Sequence, residues 1–384
     1  MPTILIQLAT SYPLAVRLYD RTTGLLRDIE IRPRMGVYVC GITPYDSAHL
    51  GHAFTYVHFD VLVRRLRHLG AEVVHVQNVT DVDDDILRVA RDRGVDFREL
   101  AAREVESFER SMAAIGVTPP THSPWATAYV TEMIQEVERL CEAGGGYERS
   151  GTVYFRVASD PEYGKLSRLS REEMLPLAAE RGGHPEDPNK DDPLDFVLWQ
   201  PSAEDEPWWE SPWGRGRPGW HIECSTMARR LLGQPVDVHG GGSDLIYPHH
   251  ESEIAQAEAL PGEPPFVRHW VHTGTVYMEG EKMSKSLGNL AFVHELIERH
   301  PAAALRELLL RHHYREDWEF SETALVAGNP VADSDGAATR DAFFDALDRD
   351  LDTPEALAVL DHAAASGTAE GKELYEEGRA LLGL

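Results

Sequence analysis

Apolar and polar positions along the chain change their period several times, and the changes mark its elements. Residues 16–35 carry the run Val16-Arg17-Leu18-Tyr19-Asp20, a turn at Thr23-Gly24 and the pair Ile29/Ile31, which suits a small hairpin. The unbroken run Val37-Tyr38-Val39-Cys40-Gly41 reads as a buried strand. After His49-Leu50-Gly51-His52 the period turns helical, with Phe54, Val57, Val61, Leu62, Leu66 and Leu69 on one face until Gly70 stops the run. Val73-Val74-His75-Val76 resumes as strand. Strand, helix, strand in this order predicts a right-handed βαβ unit and a parallel sheet.

Further along, residues 97–142 read as long amphipathic helices ending at Gly144-Gly145-Gly146. From 147 to 216 the pattern loosens among Pro, Gly and charged residues, as in an insertion that splits the sheet domain. Sheet character returns at Val236-Asp237-Val238-His239, a helix is expected near His249, and a strand near Val271–Tyr277. The rest reads as helical, with a linker-like stretch at 328–336. The predicted α/β order is an N-terminal extension (1–35), the first half of a Rossmann-type domain (36–146), the insertion (147–216), the second half (217–275), a loop-bearing segment (276–325) and a short helical C-terminal domain (326–384). No internal repeat is visible.

Composition narrows the function classes. The 384 residues are 42% hydrophobic and 26% charged, as in ordinary globular proteins. No apolar run reaches membrane-span length, and the N-terminus has no basic residue before Arg17, so no signal peptide is read and a cytoplasmic location is expected. Thirty-seven basic against sixty-four acidic residues leave a formal charge of −27, which disfavours a large nucleic-acid partner unless a local basic patch overrides it. Cys40, Cys141 and Cys224 are too few and too scattered for a disulfide framework; metal binding, chemistry or inert core thiols remain.

Two motifs carry the chemistry. His49-Leu50-Gly51-His52 stands where a helix N-terminus presents free N–H groups and a positive dipole end to phosphate, with Gly51 admitting a nucleotide close to the backbone. Alone it would be a surface turn with two incidental histidines. Lys282-Met283-Ser284-Lys285-Ser286, between Gly280 and Gly288, offers two lysines able to neutralise a triphosphate as charge builds on leaving pyrophosphate. Alone it would be a charged loop. Together, in this order, they resemble the paired ATP-binding motifs of class I aminoacyl-tRNA synthetases.

Cys40, Cys224 in Gly219-Trp220-His221-Ile222-Glu223-Cys224, and His249 and Glu253 in Pro248-His249-His250-Glu251-Ser252-Glu253 form a second constellation. On a helix His249 and Glu253 share a face. Two thiolates, an imidazole and a carboxylate make a zinc set, in which His250 could replace His249; singly, each cysteine reads as a small buried hydrophobe.

Residues 37–290 resemble the catalytic half of the cysteinyl-tRNA synthetases and of their relatives, the mycothiol-pathway ligases that join cysteine to glucosaminyl-inositol. The matching stretches are Cys40-Gly41-Ile42-Thr43, the HLGH turn, Asn78-Val79-Thr80-Asp81-Val82-Asp83-Asp84, Gly216 to Cys224, His239-Gly240-Gly241-Gly242-Ser243-Asp244, the PHHE run and KMSKS. The resemblance implies cysteine activation with ATP and Mg2+, and a Zn2+ ion that binds the substrate thiolate, since a soft metal separates sulfur from oxygen better than an apolar pocket does. By position it makes Cys40, Cys224 and His249 zinc ligands, with Glu253 as a fourth candidate. Cys40, Gly41, Ile42, Thr43, Thr55, Asn78, Val79, Thr80 and Trp220 would line the cysteinyl-adenylate, Gly242, Ser243 and Asp244 the ribose, and Val276 the adenine. His49, His52, Lys282 and Lys285 would stabilise the transferring phosphates. Asp83, Asp84 or a substrate group are candidates for the base of the second step.

The acceptor separates the two relatives. The short stretch after KMSKS, Thr43-Pro44-Tyr45-Asp46, the acidic balance and Glu180-Arg181-Gly182-Gly183-His184-Pro185 favour the amino sugar; the last resembles Glu-Arg-Gly-Gly-Asp-Pro of the mycothiol ligases, with His184 in place of aspartate. That stretch would otherwise be a Gly-rich connecting turn. Glu253 and Ile254-Ala255-Gln256-Ala257-Glu258-Ala259 resemble the tRNA-charging relative instead. The expectation is therefore an amino-sugar ligase, with tRNA as the alternative acceptor and no membrane partner. A non-catalytic, synthetase-derived binding module is the reading from another class; intact HLGH and KMSKS lysines speak against it.

Overall fold

The computed structural model describes residues 15–260, 264–283, 288–327 and 338–384. Lys285 and the 328–336 linker expectation lie outside the described residues.

β1 (Ala15–Asp20) and β2 (Leu25–Glu30) pair antiparallel across the Thr23-Gly24 turn, where Gly24 takes a φ of 71°. β3 (Arg34–Ile42), α1 (Leu50–His68) and β4 (Glu72–Val79) then form the βαβ unit, with β3 and β4 parallel. His49 caps α1, its Nδ1 accepting from the Gly51 N–H at 3.1 Å, and Arg65, Arg67 and His68 complement the dipole in the last turn. α2 (Asp84–Arg93) is a helix the periodicity does not announce. It starts on an Asp83 cap, whose Oδ1 accepts from the Ile86 N–H at 2.9 Å, and ends on Gly94 at φ 64°. The expected long helical stretch is two helices, α3 (Phe97–Ala114) and α4 (Val130–Glu142). Between them the chain runs along β4, with Gln77 N–H donating to His122 O at 3.1 Å and Val79 N–H to Pro124 O at 2.8 Å.

The stretch read as a loosened insertion contains β5 (Gly146–Arg149), β6 (Thr152–Phe155), α5 (Arg171–Glu180), β7 (Phe196–Pro201) and β8 (Gly216–Pro218). Its strands form an antiparallel sheet in chain order. Strands this short, separated by Pro- and Gly-rich turns, display no readable alternation. α6 (Trp220–Leu232), β9 (Val236–Gly242), α7 (Glu251–Ala259) and β10 (Val267–Thr273) restore the first domain.

The parallel sheet has the order β10-β9-β3-β4. Chain order therefore reverses between β3 and β9, and in open α/β sheets ligands bind outside the carboxyl ends of the strands at such a point. The expected strand near 271–277 is in fact two. β10 ends at Thr273 and β11 (Val276–Met278) begins a small separate sheet with β12 (Glu281–Lys282) and β13 (Trp318–Glu319). The break falls at Gly274, where any Cβ would strike the Glu316 backbone. α8 (Val293–Arg299), α9 (Ala302–Leu310), α10 (Glu322–Ala327), α11 (Arg340–Asp348), α12 (Thr353–Ala365) and α13 (Ala369–Leu382) complete the described chain.

β3 is buried on both faces, and its two-residue period decides what each face meets. Val37 and Val39 join the core shared with α1 and the C-terminal helices. Tyr38 and Cys40 join the other core, with α4, α6 and the antiparallel sheet. Buried ion pairs tie α1 to the C-terminal helices: Arg65 makes two bonds to Asp348, at 2.8 and 2.6 Å, and Arg306 meets Asp60 at 2.6 Å. Among the described residues no helix is long and apolar enough to cross a membrane.

Candidate active site

Strand alternation sends Cys40 to the α6 side at the carboxyl end of β3, and α6 carries Cys224 into the same space; their sulfurs lie 3.8 Å apart. The turn before α7 adds His249, whose Nε2 is 3.2 Å from Glu253 Oε1, and that oxygen is 3.7 Å from Cys40 Sγ. The ligating atoms of Cys40, Cys224, His249 and Glu253 all lie within 4.8 Å of one another. Their residues are 5%, 1%, 1% and 0% exposed.

A second set shares half of these donors. Cys40 and Glu253 also cluster with His239 and His250, within the same 4.8 Å limit. His239 Nε2 approaches Glu253 Oε2 at 3.1 Å, and His250 Nε2 approaches Cys40 Sγ at 3.3 Å. Sequence reasoning offered His250 only as a substitute for His249 and assigned His239 nothing. It also missed the residues that hold these rings. His221 Nδ1 stands 3.0 Å from His249 Nδ1, His272 Nε2 is 2.7 Å from His250 Nδ1, and Gln256 bonds the His221 carbonyl and, at 2.8 Å, Ser225 Oγ. A histidine paired at one ring nitrogen has its other aimed, a common arrangement around metal ligands. The signal in the sequence is the gathering of His221, His239, His249, His250 and His272 in one stretch; their mutual contacts needed the fold.

Burial sets the electrostatics. It pushes the Cys40 thiol and the Glu253 carboxyl well up, and holds the His249 and His250 imidazoles well below their usual range. His239 is likewise driven down to about 3 by burial. Every one of these shifts favours the neutral form, so the cluster suits a divalent cation whose own charge offsets the cost of a buried thiolate or carboxylate. Two sulfurs, an imidazole and a carboxylate in a dry site fit zinc by donor chemistry.

Around this cluster stand the residues expected to line an adenylate. Gly41 donates its N–H to Asn78 Oδ1 at 2.8 Å, and a Cβ there would collide with the Asn78 carbonyl. Ile42 accepts the Thr80 N–H at 2.9 Å and pairs with Val79 across β3 and β4. Asn78 Nδ2 donates to Thr80 Oγ1 at 3.2 Å, and Thr43 Oγ1 donates to Asp83 Oδ2 at 3.2 Å. Trp220 stacks on His249 with ring centroids 4.2 Å apart. Thr55, on α1, shares a 2.7 Å hydrogen bond with Thr273 at the end of β10. Asp83 is pushed up to about 7, chiefly by burial and then by Asp85, against the pull of its bonds to Ile86 and Thr43.

The residues expected to meet phosphate are brought together by pairing. His49 and His52 stack with centroids 3.8 Å apart at the start of α1. The backbone after KMSKS bonds this turn directly: Leu50 N–H donates to Ala291 O and Val293 N–H to Ala48 O, both at 2.9 Å. Lys282, on β12, places Nζ 3.9 Å from Asp244 Oδ2, while Ser243 Oγ lies 3.2 Å from Thr275 Oγ1. Gly242, ahead of them, ends β9, and Val276 is buried one residue beyond Thr275. Arg181 of the Gly-rich turn reaches back to donate to the carbonyls of Asp244 and Tyr247, the latter at 2.6 Å. His184 is exposed and 3.4 Å from Glu186. Asp84 is exposed and ion-paired with Arg217.

The family described as tRNA synthetases class I (C) catalytic domain matches residues 29–329. A Nocardiopsis dassonvillei protein named L-cysteine:1D-myo-inositol 2-amino-2-deoxy-alpha-D-glucopyranoside ligase is 45% identical over 368 residues, 93% of this chain and 90% of its own. The cysteine–tRNA ligase of Geobacter sulfurreducens is 44% identical over 374 residues, 96% of this chain and 73% of its own. Among solved structures, Mycobacterium tuberculosis methionyl-tRNA synthetase in complex with methionyl-adenylate has a TM-score of 0.65 at 17% identity, covering 91% of this chain and 89% of that one, a likeness of fold.

Proposed function

The chain belongs to the class I (C) tRNA synthetase catalytic-domain family, and from that premise we propose that it activates L-cysteine as cysteinyl-AMP and passes the cysteinyl group to the amine of glucosaminyl-inositol, as in mycothiol biosynthesis. The observation that carries the choice of cysteine is the buried donor cluster of Cys40, Cys224, His249 and Glu253 at the carboxyl end of β3. Those four residues would hold zinc, which when bound supplies a soft centre that prefers a thiolate to a hydroxyl. Trp220, stacked on His249, and Thr80, bonded to Asn78, would orient the amino acid. His49, His52, Lys282 and Lys285 receive charge on the phosphates of Mg-ATP while a cysteine carboxylate oxygen attacks the α-phosphorus and pyrophosphate departs.

In the second step the acceptor nitrogen attacks the activated carbonyl, a C–N bond forms, the C–O bond to phosphate breaks, and AMP leaves. The amine arrives largely protonated and must lose a proton. Asp83 is the better placed of the two carboxylate candidates, since it bonds Thr43 beside the site and burial holds it at about 7, whereas Asp84 is exposed and committed to Arg217.

Relatives named for the amino-sugar ligation and the charge of −27 support the sugar acceptor. Glu253 inside the cluster, a feature of the tRNA-charging resemblance, and the Geobacter relative support a second reading in which tRNA is the acceptor. Incubation with ATP, cysteine and either glucosaminyl-inositol or cysteine tRNA decides between them. An amide on the amino sugar is expected; cysteinyl-tRNA alone would overturn the acceptor. Absence of cysteine-dependent ATP–pyrophosphate exchange in zinc-loaded protein would favour a non-catalytic binding module instead.

A further inference from the structure

Glu223 sits on α6 one residue before Cys224 and is fully buried, yet it belongs to neither donor set. Neither of its carboxylate oxygens meets a donor at full hydrogen-bond geometry among the described residues, the Thr80 hydroxyl standing beside it without completing one. The other buried carboxylates nearby are satisfied. Asp81 accepts from Thr127 N–H at 2.9 Å and from its hydroxyl, Glu251 accepts three backbone N–H groups of the 164–167 turn, and Glu136 accepts from Thr226 at 3.1 Å and meets Arg229 at 3.2 Å. An orphaned buried carboxylate is costly and calls for a specific partner.

The surroundings indicate the sign of that partner. Burial first, and then Cys224, Asp83 and Asp81, push the Glu223 carboxyl well up, so its strongest ionisable neighbours are acidic, with Thr80 beside it. A small cation with several N–H donors would complement both oxygens. Free cysteine carries one. With its sulfur held at the donor cluster and its carboxylate turned toward the HLGH turn, the α-ammonium group, only a few bonds from the sulfur, would lie against the α6 wall of the site. Trp220 and Thr80 bound that wall, and Glu223 follows Trp220 by three residues, on the same side of α6. We propose that Glu223 receives the α-ammonium group of the substrate cysteine, making it a substrate-positioning residue distinct from the thiol-reading cluster.

This inference rests on the cysteine-activation reading, and its test separates the two. Zinc-loaded wild type and Glu223→Gln are compared in ATP–pyrophosphate exchange with cysteine and with 3-mercaptopropionate, which keeps the thiol and carboxylate but lacks the amine. The expected result is a rise in the cysteine KM of roughly 10- to 100-fold in the variant, with zinc content and the constants for mercaptopropionate unchanged. Equal losses on both substrates, or an unaltered cysteine KM, would overturn it. The wild type alone provides a check that needs no variant to fold: cysteine must be preferred to mercaptopropionate by at least about 10-fold in KM, and parity would overturn the inference. A wild type that exchanges with neither thiol overturns the adenylation reading, and this inference with it.

Discussion

The two ends of the candidate site are built on opposite terms. At the thiol end every donor is 5% exposed or less, and each histidine is held by another buried group. At the phosphate end the Lys282 and Asp244 side chains are 50% and 52% exposed and meet at 3.9 Å. The difference follows from what each end must do. Telling sulfur from oxygen is served by a metal in a dry site whose ligands are held beforehand, because an apolar pocket separates such close analogues only weakly. Binding a triphosphate needs cations that remain cheap to keep ionised until charge develops, and water does that without stored strain.

The sharpest way to break this contrast is at the thiol end. Cys224→Ser is expected to empty the metal site and lower cysteine-dependent exchange by on the order of 10³-fold, with discrimination against serine lost along with it. Metal analysis and paired exchange assays check both parts. Retained metal with unchanged selectivity would show that the cluster is structural and that the contrast is misread.

At the phosphate end the expected loss is smaller and leaves the metal alone. Lys285→Ala should slow adenylate formation by roughly 10²- to 10³-fold, the range for removing one group that stabilises developing charge, while zinc content stays at the wild-type level. Single-turnover formation of cysteinyl-AMP is the readout. Full-rate adenylation would remove this lysine from the chemistry.

Between the two ends, Asp83 ties the site to α2. Burial is the first cause of its elevation to about 7, so its carboxylate forms as pH rises through that value and the transfer step should accelerate with it. Asp83→Asn should cost transfer about 10²-fold, flatten that limb and leave pyrophosphate exchange near the wild-type rate. Asp84 and Asp85 stand beside it as further carboxylates. If the limb survives in the variant, one of them or the substrate is the base.

The same contrast explains what was legible in the sequence. HLGH and KMSKS are each contiguous, so each displays its chemistry in one short string, and the structure adds that the segment following KMSKS bonds the HLGH turn through Ala48, Leu50, Ala291 and Val293. The donor cluster is assembled from β3, α6 and the turn before α7. Strand alternation could send Cys40 to one face, but which face α6 occupies is a tertiary fact. His221, His272 and Gln256 act on the cluster only through contacts between separate elements, so no spacing rule reaches them. α2 was overlooked for another reason: Asp83 reads as one of several consecutive acids, and its cap bond to Ile86 is visible only in space. Cys141, equally conspicuous in the sequence, lies half-buried on α4, outside both donor sets.

The smallest expected effect comes from a bond that crosses the contrast. Arg181, in the turn resembling the mycothiol ligases, donates to the carbonyls of Asp244 and Tyr247, which bracket the passage from the segment proposed to meet the ribose to the histidine turn. Those carbonyls precede His249 and follow Gly242, so the guanidinium holds the exposed end against the buried one. Arg181→Ala removes the clamp without touching a metal donor or a phosphate contact. The KM for ATP should rise by roughly 5- to 10-fold, with kcat and zinc content held, because the ribose segment is loosened while the cluster keeps its own supports in His221 and His272. A fall in zinc content would mean that the insertion positions the metal site as well, and that the two ends are less independent than their burial suggests.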